Sequence, residues 1–375
     1  TAYRRQRQMC IRDRYAECLL AVKFRQVDED GHVVGGPFNY IEHGMGPKWK
    51  WLAKIFAFFG IGVGLLGIGT FTQVNGISSA VNNFFDSNNA WTVSLFGRTY
   101  SWTVVISCLI LTFCVALVLI GGIQRISKVA QVIVPFMAAT YFLAGILIIL
   151  FNITDVPAAI LTIVQSAFGL KAAAGGALGA MVVAMQKGIA RGIFSNEAGL
   201  GSAPIAAAAA RTNEPVRQGL VSMTATFIDT IIICSITGIA IVLTGAYDMG
   251  LEGVAVTTKA FQLGLPFPDG VASFILMLCL VFFAFTTILG WDYYSERCLE
   301  YLTNGKKKCI KAYRWIYILC VFIGPYMTVS AVWTIADIFN GLMAIPNLIA
   351  LVALNGVVAK ETKDYLDRIK KKEID

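Results

Sequence analysis

A break inside a hydrophobic region narrows the choice of folds for this sequence more than any other feature. Residues 186–204, QKGIARGIFSNEAGLGSAP, carry three charges, four glycines and a closing proline in the middle of an apolar stretch. Each glycine lowers helix propensity by about 1 kcal/mol relative to alanine, and proline breaks a helix more strongly. We therefore predict a helix over residues 174–210 that is broken near its middle. The alternative interpretation is a cytoplasmic loop between two hydrophobic segments.

The composition is that of an integral membrane protein. Hydrophobic residues make up 57% of the 375 residues and charged residues only 14%, whereas soluble domains carry about 25% charged residues. Eight apolar segments approach or exceed the roughly 20 residues with which a helix spans a bilayer. They lie near residues 50–83, 101–122, 129–152, 174–210, 219–245, 270–296, 313–333 and 335–358. Because hydrocarbon offers no partner to unwound backbone, a broken helix at this depth indicates an ion or solute site.

Lysine and arginine are unevenly distributed over the connections between these segments, and such residues collect on the cytoplasmic side. One set of connections holds only Arg98, Lys171 and Lys259. The basic set comprises residues 23–50, 125–128, 211–217, 297–314 and the tail from 360. We expect the basic set and the C-terminus to face the cytoplasm. The net charge of +8 then reflects membrane topology, and nucleic-acid binding is not indicated.

The sequence gives no support to catalysis or to a structural metal site. The nine cysteines are odd in number and lack CxxC spacing, which argues against a disulfide framework and a zinc site. The two histidines, His32 and His43, lie in one polar loop. A membrane enzyme would require a convergent His, Asp, Ser or metal cluster, and a passive channel a ring or repeated filter motif. Neither pattern occurs in the sequence.

Five segments carry a resemblance to a known family. They are YAECLLAVKFR (15–25), VGGPFNYIEHGMG (34–46), GIGTFTQVNGIS (67–78), GIFSNEAGLGSAPIAAAAA (192–210) and FAFTTILGWDYYSERCLEYL (283–302). Together they resemble the alanine/glycine:cation symporter family, the sodium:alanine symporters. The resemblance extends from residue 15 to about residue 370.

The resemblance implies an all-α polytopic membrane protein with a leucine-transporter-type fold of two inverted five-helix repeats. Residues 174–210 would be core helix 6, and the first span would be core helix 3. The transporter domain would be 15–375, with the C-terminal part of core helix 2, core helices 3–10 and a cytoplasmic tail from about 359. The basic residues 1–14 match nothing in the family and are interpreted as a leader, either foreign or an assembly artefact. The fold would lack its first helices, including core helix 1, which leaves an inactive fragment as an alternative.

The resemblance also implies a set of substrate-binding residues. Gln73 would be costly to bury without a partner, and Ile77 lies four residues further on the same helix face. The resemblance places both at the substrate, together with Phe194, and it uses Trp291 to close the pocket and limit substrate size. The expected substrate-binding set is Gln73, Ile77, Phe194, Ser195, Asn196, Thr287 and Trp291.

Three polar residues at the break allow two interpretations each. Ser195 and Asn196 can present backbone groups to a solute, but both residue types also cap helix starts. Glu197 is an intramembrane carboxylate, which marks either a transport pathway or an ion-pair partner. For Glu197 we favour a structural ion pair with Lys187 or Arg191.

A sodium site is implied in the middle of core helix 8. Hydroxyl and carbonyl oxygens are the ligands that a hard cation prefers. The second sodium site of the leucine-transporter-type fold uses a carbonyl three and four residues before two hydroxyls, which implies Phe283, Thr286 and Thr287 as ligands. The alternative is that the two threonines only hydrogen-bond to their own helix.

We therefore predict a secondary active transporter that couples the entry of sodium to the uptake of alanine and glycine. It catalyses no reaction, needs no cofactor besides the cotransported sodium ion, and resides as a multi-pass protein in the inner membrane of a bacterial cell. Sodium and amino acid would each stabilise an occluded state, so that the ion gradient drives the solute by alternating access. The alternative is a sodium- or proton-coupled permease for other small neutral amino acids.

Overall fold

Helices dominate the computed structural model, which describes residues 2–27, 33–95, 97–121, 123–167 and 177–371. They are α1 Ala2–Lys23, α2 Pro37–Asn39, α3 Lys50–Leu66, α4 Phe71–Phe85, α5 Trp102–Ile120, α6 Ile123–Phe151, α7 Val156–Ala167, α8 Ala177–Asn196, α9 Ala203–Ala207, α10 Pro215–Phe227, α11 Cys234–Leu243, α12 Val254–Gly264, α13 Asp269–Thr303, α14 Lys307–Ile323, α15 Val329–Ala353 and α16 Asn355–Lys370. Two short antiparallel hairpins join β1 Gln26–Val27 to β2 Val33–Val34 and β3 Thr92–Leu95 to β4 Arg98–Ser101.

Six stretches in the described part of the chain are long and apolar enough to cross a membrane. They are Pro47–Phe85, Trp102–Ile120, Arg125–Phe151, Pro215–Leu243, Asp269–Thr303 and Val329–Ala353. The predicted span 174–210 is not among them, since 174–176 lie outside the described residues and the helix is broken after Asn196, and the predicted span 313–333 is divided between two helices. The expected all-α membrane architecture is nevertheless present.

The broken helix predicted over 174–210 is confirmed for the residues that the structure describes, while 174–176 lie outside them. Helix α8 ends at Asn196, and α9 resumes at Ala203 with Pro204 in its first turn. Three residues in between have positive φ angles, of 53° at Glu197, 84° at Gly199 and 87° at Gly201. Glycine adopts this region without steric cost. The two glycines therefore allow the chain to turn between the half-helices.

The first predicted span, 50–83, is also interrupted, although a continuous helix is expected there. Helix α3 ends at Leu66 and α4 begins at Phe71. A Cβ on Gly69 would lie 2.7 Å from Trp291 Cβ, so only glycine allows this close approach to α13. The predicted continuous span would place Gln73 inside a helix, and the structure instead places it in the first turn of α4.

The boundary between the last two predicted spans also moves. Helix α14 ends at Ile323, a 3-10 turn follows at Gly324–Tyr326, and α15 begins at Val329. Pro325 lacks the N–H that would continue α14. Thr328 caps the new helix, since its Oγ1 accepts a hydrogen bond from Ala331 N at 3.4 Å.

Glycines on α3 and on the turn after it allow that segment to pack closely along α13. Added Cβ atoms would lie 2.7 Å from Cys298 Sγ at Gly60 and 2.3 Å from Ser295 Oγ at Gly64. Small residues bring helix backbones together in this way in membrane proteins. Trp291 and Cys298 of α13 thereby join residues of α3 such as Phe56 in the main buried cluster.

Several basic connections meet at one face of the molecule. Lys23 at the end of α1 pairs with Glu361 of α16, with an Nζ–Oε1 distance of 2.5 Å. Tyr301 near the end of α13 donates a hydrogen bond to Glu42, which lies in the connection before α3. A Cβ on Gly44 would lie 3.1 Å from the Phe24 ring, so the two contacts lie in one region that holds the end of α1, the 40–50 connection, the end of α13 and the C-terminal helix. Which side of the membrane this face occupies stays a prediction.

Helix α1 runs without interruption from Ala2 to Lys23. The domain boundary predicted between residues 14 and 15 therefore coincides with no break in the backbone. The helix packs mainly against α10 and α9, and Cys10, Cys18 and Leu19 are buried. The assignment of residues 1–14 to a leader stays a prediction.

Candidate substrate and ion site

The unwound residues 197–202 are held by hydrogen bonds from side chains. Glu197 Oε2 accepts a bond from Ser202 Oγ at 2.6 Å, and Glu197 Oε1 accepts one from Trp291 Nε1 at 3.0 Å. The predicted ion pair of Glu197 with Lys187 or Arg191 is wrong. Arg191 instead pairs with Asp337 of α15. The Glu197 carboxylate therefore links the unwound segment to α13 by accepting a hydrogen bond from the indole of Trp291.

The end of α8 is fastened to a π-helical turn at Ile228–Ile233, between α10 and α11. Ser195 Oγ donates to both carboxylate oxygens of Asp229, at 3.0 and 2.8 Å. Asn196 Nδ2 donates to Thr230 Oγ1 at 3.0 Å, and its Oδ1 accepts from Ala198 N at 3.0 Å. Single π-turns are frequent at functional sites. Ser195 and Asn196 thus stabilise the broken segment through hydrogen bonds to the π-helical turn and to Ala198.

Phe194 stands against an aromatic and ionic cluster. Its ring centroid lies 4.7 Å from that of Trp333 on α15. The Arg191 guanidinium lies 4.3 Å from the Trp333 ring centroid and 5.6 Å from that of Phe194. Arg191 Nη2 also donates to Asp337 Oδ2 at 2.6 Å. An ion pair and a contact between two tilted rings therefore connect α8 to α15 beside the break.

Gln73 and Ile77 lie on α4 but do not face the same surroundings. Gln73 Nε2 donates to Ile68 O at 3.1 Å, in the interruption between α3 and α4. Ile77 is buried in a cluster with Ile288 and Tyr317, which is separate from the cluster that holds Trp291. It also lines a cavity of about 790 Å³ between α4, α5 and α13. That cavity is mostly apolar, so it offers little to the charged groups of an amino acid.

The proposed sodium ligands converge on one carbonyl oxygen. Thr286 Oγ1 and Thr287 Oγ1 each donate to Phe283 O at 2.9 Å, and Thr286 Oγ1 also lies 3.1 Å from Phe282 O. This is the hydrogen bonding of threonine to its own helix that was considered as the alternative. A carbonyl and two hydroxyls still form an oxygen set of the kind that binds a hard cation.

Trp291 lies near the break rather than near Ile77. Its side chain is 2% exposed and belongs to the main buried cluster, against which Phe194 also packs. The structure therefore brings Trp291, Phe194, Ser195 and Asn196 to the same region, around the unwound segment. It does not bring Ile77 into that group.

Sequence reasoning missed three residues that complete this region, namely Asp229, Trp333 and Asp337. Asp229 and Asp337 each stand alone in a long apolar segment, and an intramembrane carboxylate indicates a functional role or a partner. That signal was available in the sequence. Trp333 gave no comparable signal, because a tryptophan near a helix end fits an interfacial position equally well.

A membrane protein built from long helices, with one helix unwound between two half-helices and polar groups gathered at the break, belongs to the class of secondary transporters. The model of the sodium:alanine symporter family matches residues 9–375, starting inside the predicted leader. The chain belongs to the sodium:alanine symporter family.

Three relatives illustrate the range of this similarity. An uncharacterised transporter of Haemophilus influenzae is 52% identical, over 95% of this chain and 74% of its own length. A sodium/alanine symporter of Methanococcus maripaludis is 42% identical, over 96% of this chain and 75% of its own length. A probable sodium/glutamine symporter of Bacillus subtilis is 37% identical, over 94% of this chain and 68% of its own length.

Proposed function

We propose that this protein is a sodium-coupled symporter that imports alanine and glycine. The observation that carries the proposal is the unwound segment at 197–202, in a chain of the sodium:alanine symporter family. Unwound backbone between two half-helices exposes N–H and C=O groups that can recognise ions and the charged groups of an amino acid. The relative named as a sodium/alanine symporter supports both the ion and the substrate.

The substrate would bind beside the break. Phe194 and Trp291 would enclose its side chain, whereas Ile77, which lies in a separate buried cluster, would not contact it. A methyl group fits such a site where an isobutyl group would clash, and each methylene is worth about 1–3 kcal/mol of discrimination. The hydrogen-bonding groups would come from Gln73, Ser195, Asn196 and Thr287.

Sodium would bind at Phe283 O and at the hydroxyl oxygens of Thr286 and Thr287. A cation there would replace the hydroxyl-to-carbonyl hydrogen bonds, with the hydroxyl hydrogens turned away. Because sodium and amino acid would both favour the occluded state, the sodium gradient would drive uptake. The same oxygen set does not bind a bare proton tightly, so we favour sodium over proton coupling.

The surrounding fold would be of the leucine-transporter type, with α8 and α9 as the halves of core helix 6. Its location would be the inner membrane of a bacterial cell. The face that carries the Lys23–Glu361 pair and the C-terminal helix would be cytoplasmic, since lysine and arginine collect on that side.

A second candidate function is symport of another neutral amino acid, and the relative named as a probable sodium/glutamine symporter favours it. The two functions differ in the size of the substrate side chain. Glutamine would need room beyond the indole of Trp291, which is buried in the core.

Uptake by the purified protein in proteoliposomes tests the proposal. An inward sodium gradient should drive accumulation of labelled alanine, and a potassium or proton gradient of the same size should not. Excess glycine should compete, whereas leucine should not. Accumulation of glutamine in preference to alanine would establish the second candidate, and uptake independent of sodium would refute both.

A further inference from the structure

Arg25, two residues beyond the end of α1, makes four hydrogen bonds to the connection that follows α9. Arg25 Nη1 donates to Ala208 O at 3.0 Å and to Ala210 O at 2.7 Å. Arg25 Nη2 donates to Thr212 O at 2.8 Å and to Asn213 Oδ1 at 3.3 Å. These carbonyls belong to the C-cap residue of α9 and to the residues after it, beyond the hydrogen bonds of the helix itself, so they need external donors. The planar guanidinium supplies them from one side chain, which a lysine cannot do in the same geometry.

The backbone around this arginine is also closely packed. A Cβ on Gly35 would lie 2.4 Å from Ala208 Cβ and 3.2 Å from Arg25 Cβ. A Cβ on Gly36 would lie 2.9 Å from an Ile205 side-chain atom. The chain after β2 therefore passes between the end of α1 and α9 without space for a side chain. The end of α1, the β1–β2 hairpin and α9 form one packed unit.

Helix α9 depends on such attachments. It has five residues, and helices much shorter than 12–15 residues are not stable by their own hydrogen bonds. On its N-terminal side it meets the unwound residues 197–202, where the two positive-φ glycines let the chain turn. On its C-terminal side the Arg25 hydrogen bonds fix it to α1.

We propose that Arg25 is a positioning residue of the transport cycle, which makes α9 move together with the end of α1 while the unwound segment at 197–202 bends. The inference rests on the proposed function, because it needs a cycle of alternating access. Arg25 contacts neither the proposed substrate residues nor the proposed sodium ligands in these hydrogen bonds. Its loss should therefore slow the conformational change more than it weakens binding.

The chain offers a matched control at Lys23, two residues earlier. Lys23 pairs with Glu361 of α16, and both side chains are partly exposed. Lys23→Ala removes a cation and an ion pair from the same end of α1. It leaves all four Arg25 hydrogen bonds in place.

The experiment compares the parent protein with Arg25→Ala, Arg25→Lys and Lys23→Ala in proteoliposomes. Initial uptake of labelled alanine is measured beside equilibrium binding of alanine in sodium. For Arg25→Ala we expect uptake to fall about tenfold while binding changes less than about threefold, and for Arg25→Lys a smaller fall in uptake. Lys23→Ala should match the parent. Parental uptake in Arg25→Ala, or a parallel loss of binding and uptake, would overturn the proposal.

Arg25→Lys keeps the test decisive where Arg25→Ala does not fold. Lysine retains the positive charge but cannot supply the hydrogen bonds of the guanidinium in the same geometry, so uptake should still fall more than alanine binding does. Parental uptake in Arg25→Lys, or a parallel loss of binding and uptake, would then overturn the proposal. Absence of sodium-driven uptake in the parent would refute the proposed function instead.

Discussion

At the scale of single residues, Trp291 acts through its indole N–H as well as through its size. The N–H donates to Glu197 Oε1 at 3.0 Å, and the side chain is almost fully buried. Replacement by alanine would relax the limit on substrate size, but it would also open a cavity that costs about 3–5 kcal/mol. Phenylalanine keeps most of the volume and removes only the donor, so it isolates the hydrogen bond.

We expect Trp291→Phe to destabilise the protein by about 1–3 kcal/mol, because a buried oxygen of Glu197 loses its partner. The measurement is thermal unfolding in detergent, with Trp102→Phe as the control. Trp102 is exposed, with 44% of its surface accessible. Equal unfolding temperatures for the two variants would show that the bond to Glu197 does not stabilise the break.

Thr287→Val tests the sodium ligands. The substitution keeps the shape of the side chain and deletes one oxygen, so we expect the sodium half-saturation of uptake to rise about tenfold with little effect on folding. Thr303→Val is the control, since Thr303 Oγ1 donates to Leu299 O at 2.8 Å near the end of the same helix. An unchanged sodium half-saturation in Thr287→Val would show that Thr287 only hydrogen-bonds within its own helix and does not bind sodium.

Residue types alone did not determine the partners of the charged residues. Glu197 was expected to pair with Lys187 or Arg191, both within one to three helical turns. The backbone turns at Glu197, whose φ angle is positive, so the helical spacing behind that expectation does not continue through it. The carboxylate meets Trp291 instead, and Arg191 meets Asp337 on a helix distant in sequence.

At the scale of elements, breaks could be predicted where several signals coincide. Residues 197–202 combine glycines, polar side chains and a following proline, and the structure has the predicted break at these residues. The break between α3 and α4 has glycines without charges or proline, so the sequence there was read as a continuous span. Its cause is tertiary, because Gly69 approaches Trp291 on α13.

Helix α16 is attached to the start of α10 by a two-bond ion pair. Arg368 Nη1 and Nη2 donate to Glu214 Oε1 and Oε2 at 2.9 and 2.7 Å. Hydrogen bonding from Arg368 lowers the pKa of Glu214 below its usual value. A lowered pKa means that the ionised carboxylate is favoured in the docked state. The contribution of the pair is therefore complete above the ordinary glutamate pKa of about 4.3, and it is lost as the pH falls through the lowered pKa.

We expect the backbone amides of α16 to lose protection from hydrogen exchange as the pH falls below about 4, after correction for the intrinsic exchange rate. Glu214→Gln should show the reduced protection already at pH 7, without a further loss on acidification. Glu361→Gln, which removes the ion pair with Lys23, is the control. Identical protection in the parent and in Glu214→Gln would show that the pair does not hold α16.

At the scale of the whole molecule, the sequence was enough to predict an all-α membrane protein and its family. Long apolar runs and motifs such as GIFSNEAGLGSAPIAAAAA at 192–210 carry that information directly. The assembly of the site was less predictable, because it depends on packing between distant helices. Phe194 and Trp291 do lie near the break, whereas Ile77 belongs to a separate cluster, and the contribution of Trp333 emerged only from the structure.

The proposal that the broken helix forms the transport site is tested most directly at Ser195, which is exposed at the end of α8. Ser195→Cys is made in a Cys234→Ser background, because Cys234 Sγ lies 3.6 Å from Ser195 Oγ. The rate at which a small thiol reagent modifies this cysteine is measured in proteoliposomes. Alanine should slow the modification in sodium and have no effect in potassium. A rate that is the same with and without alanine in sodium would contradict a substrate site at the break.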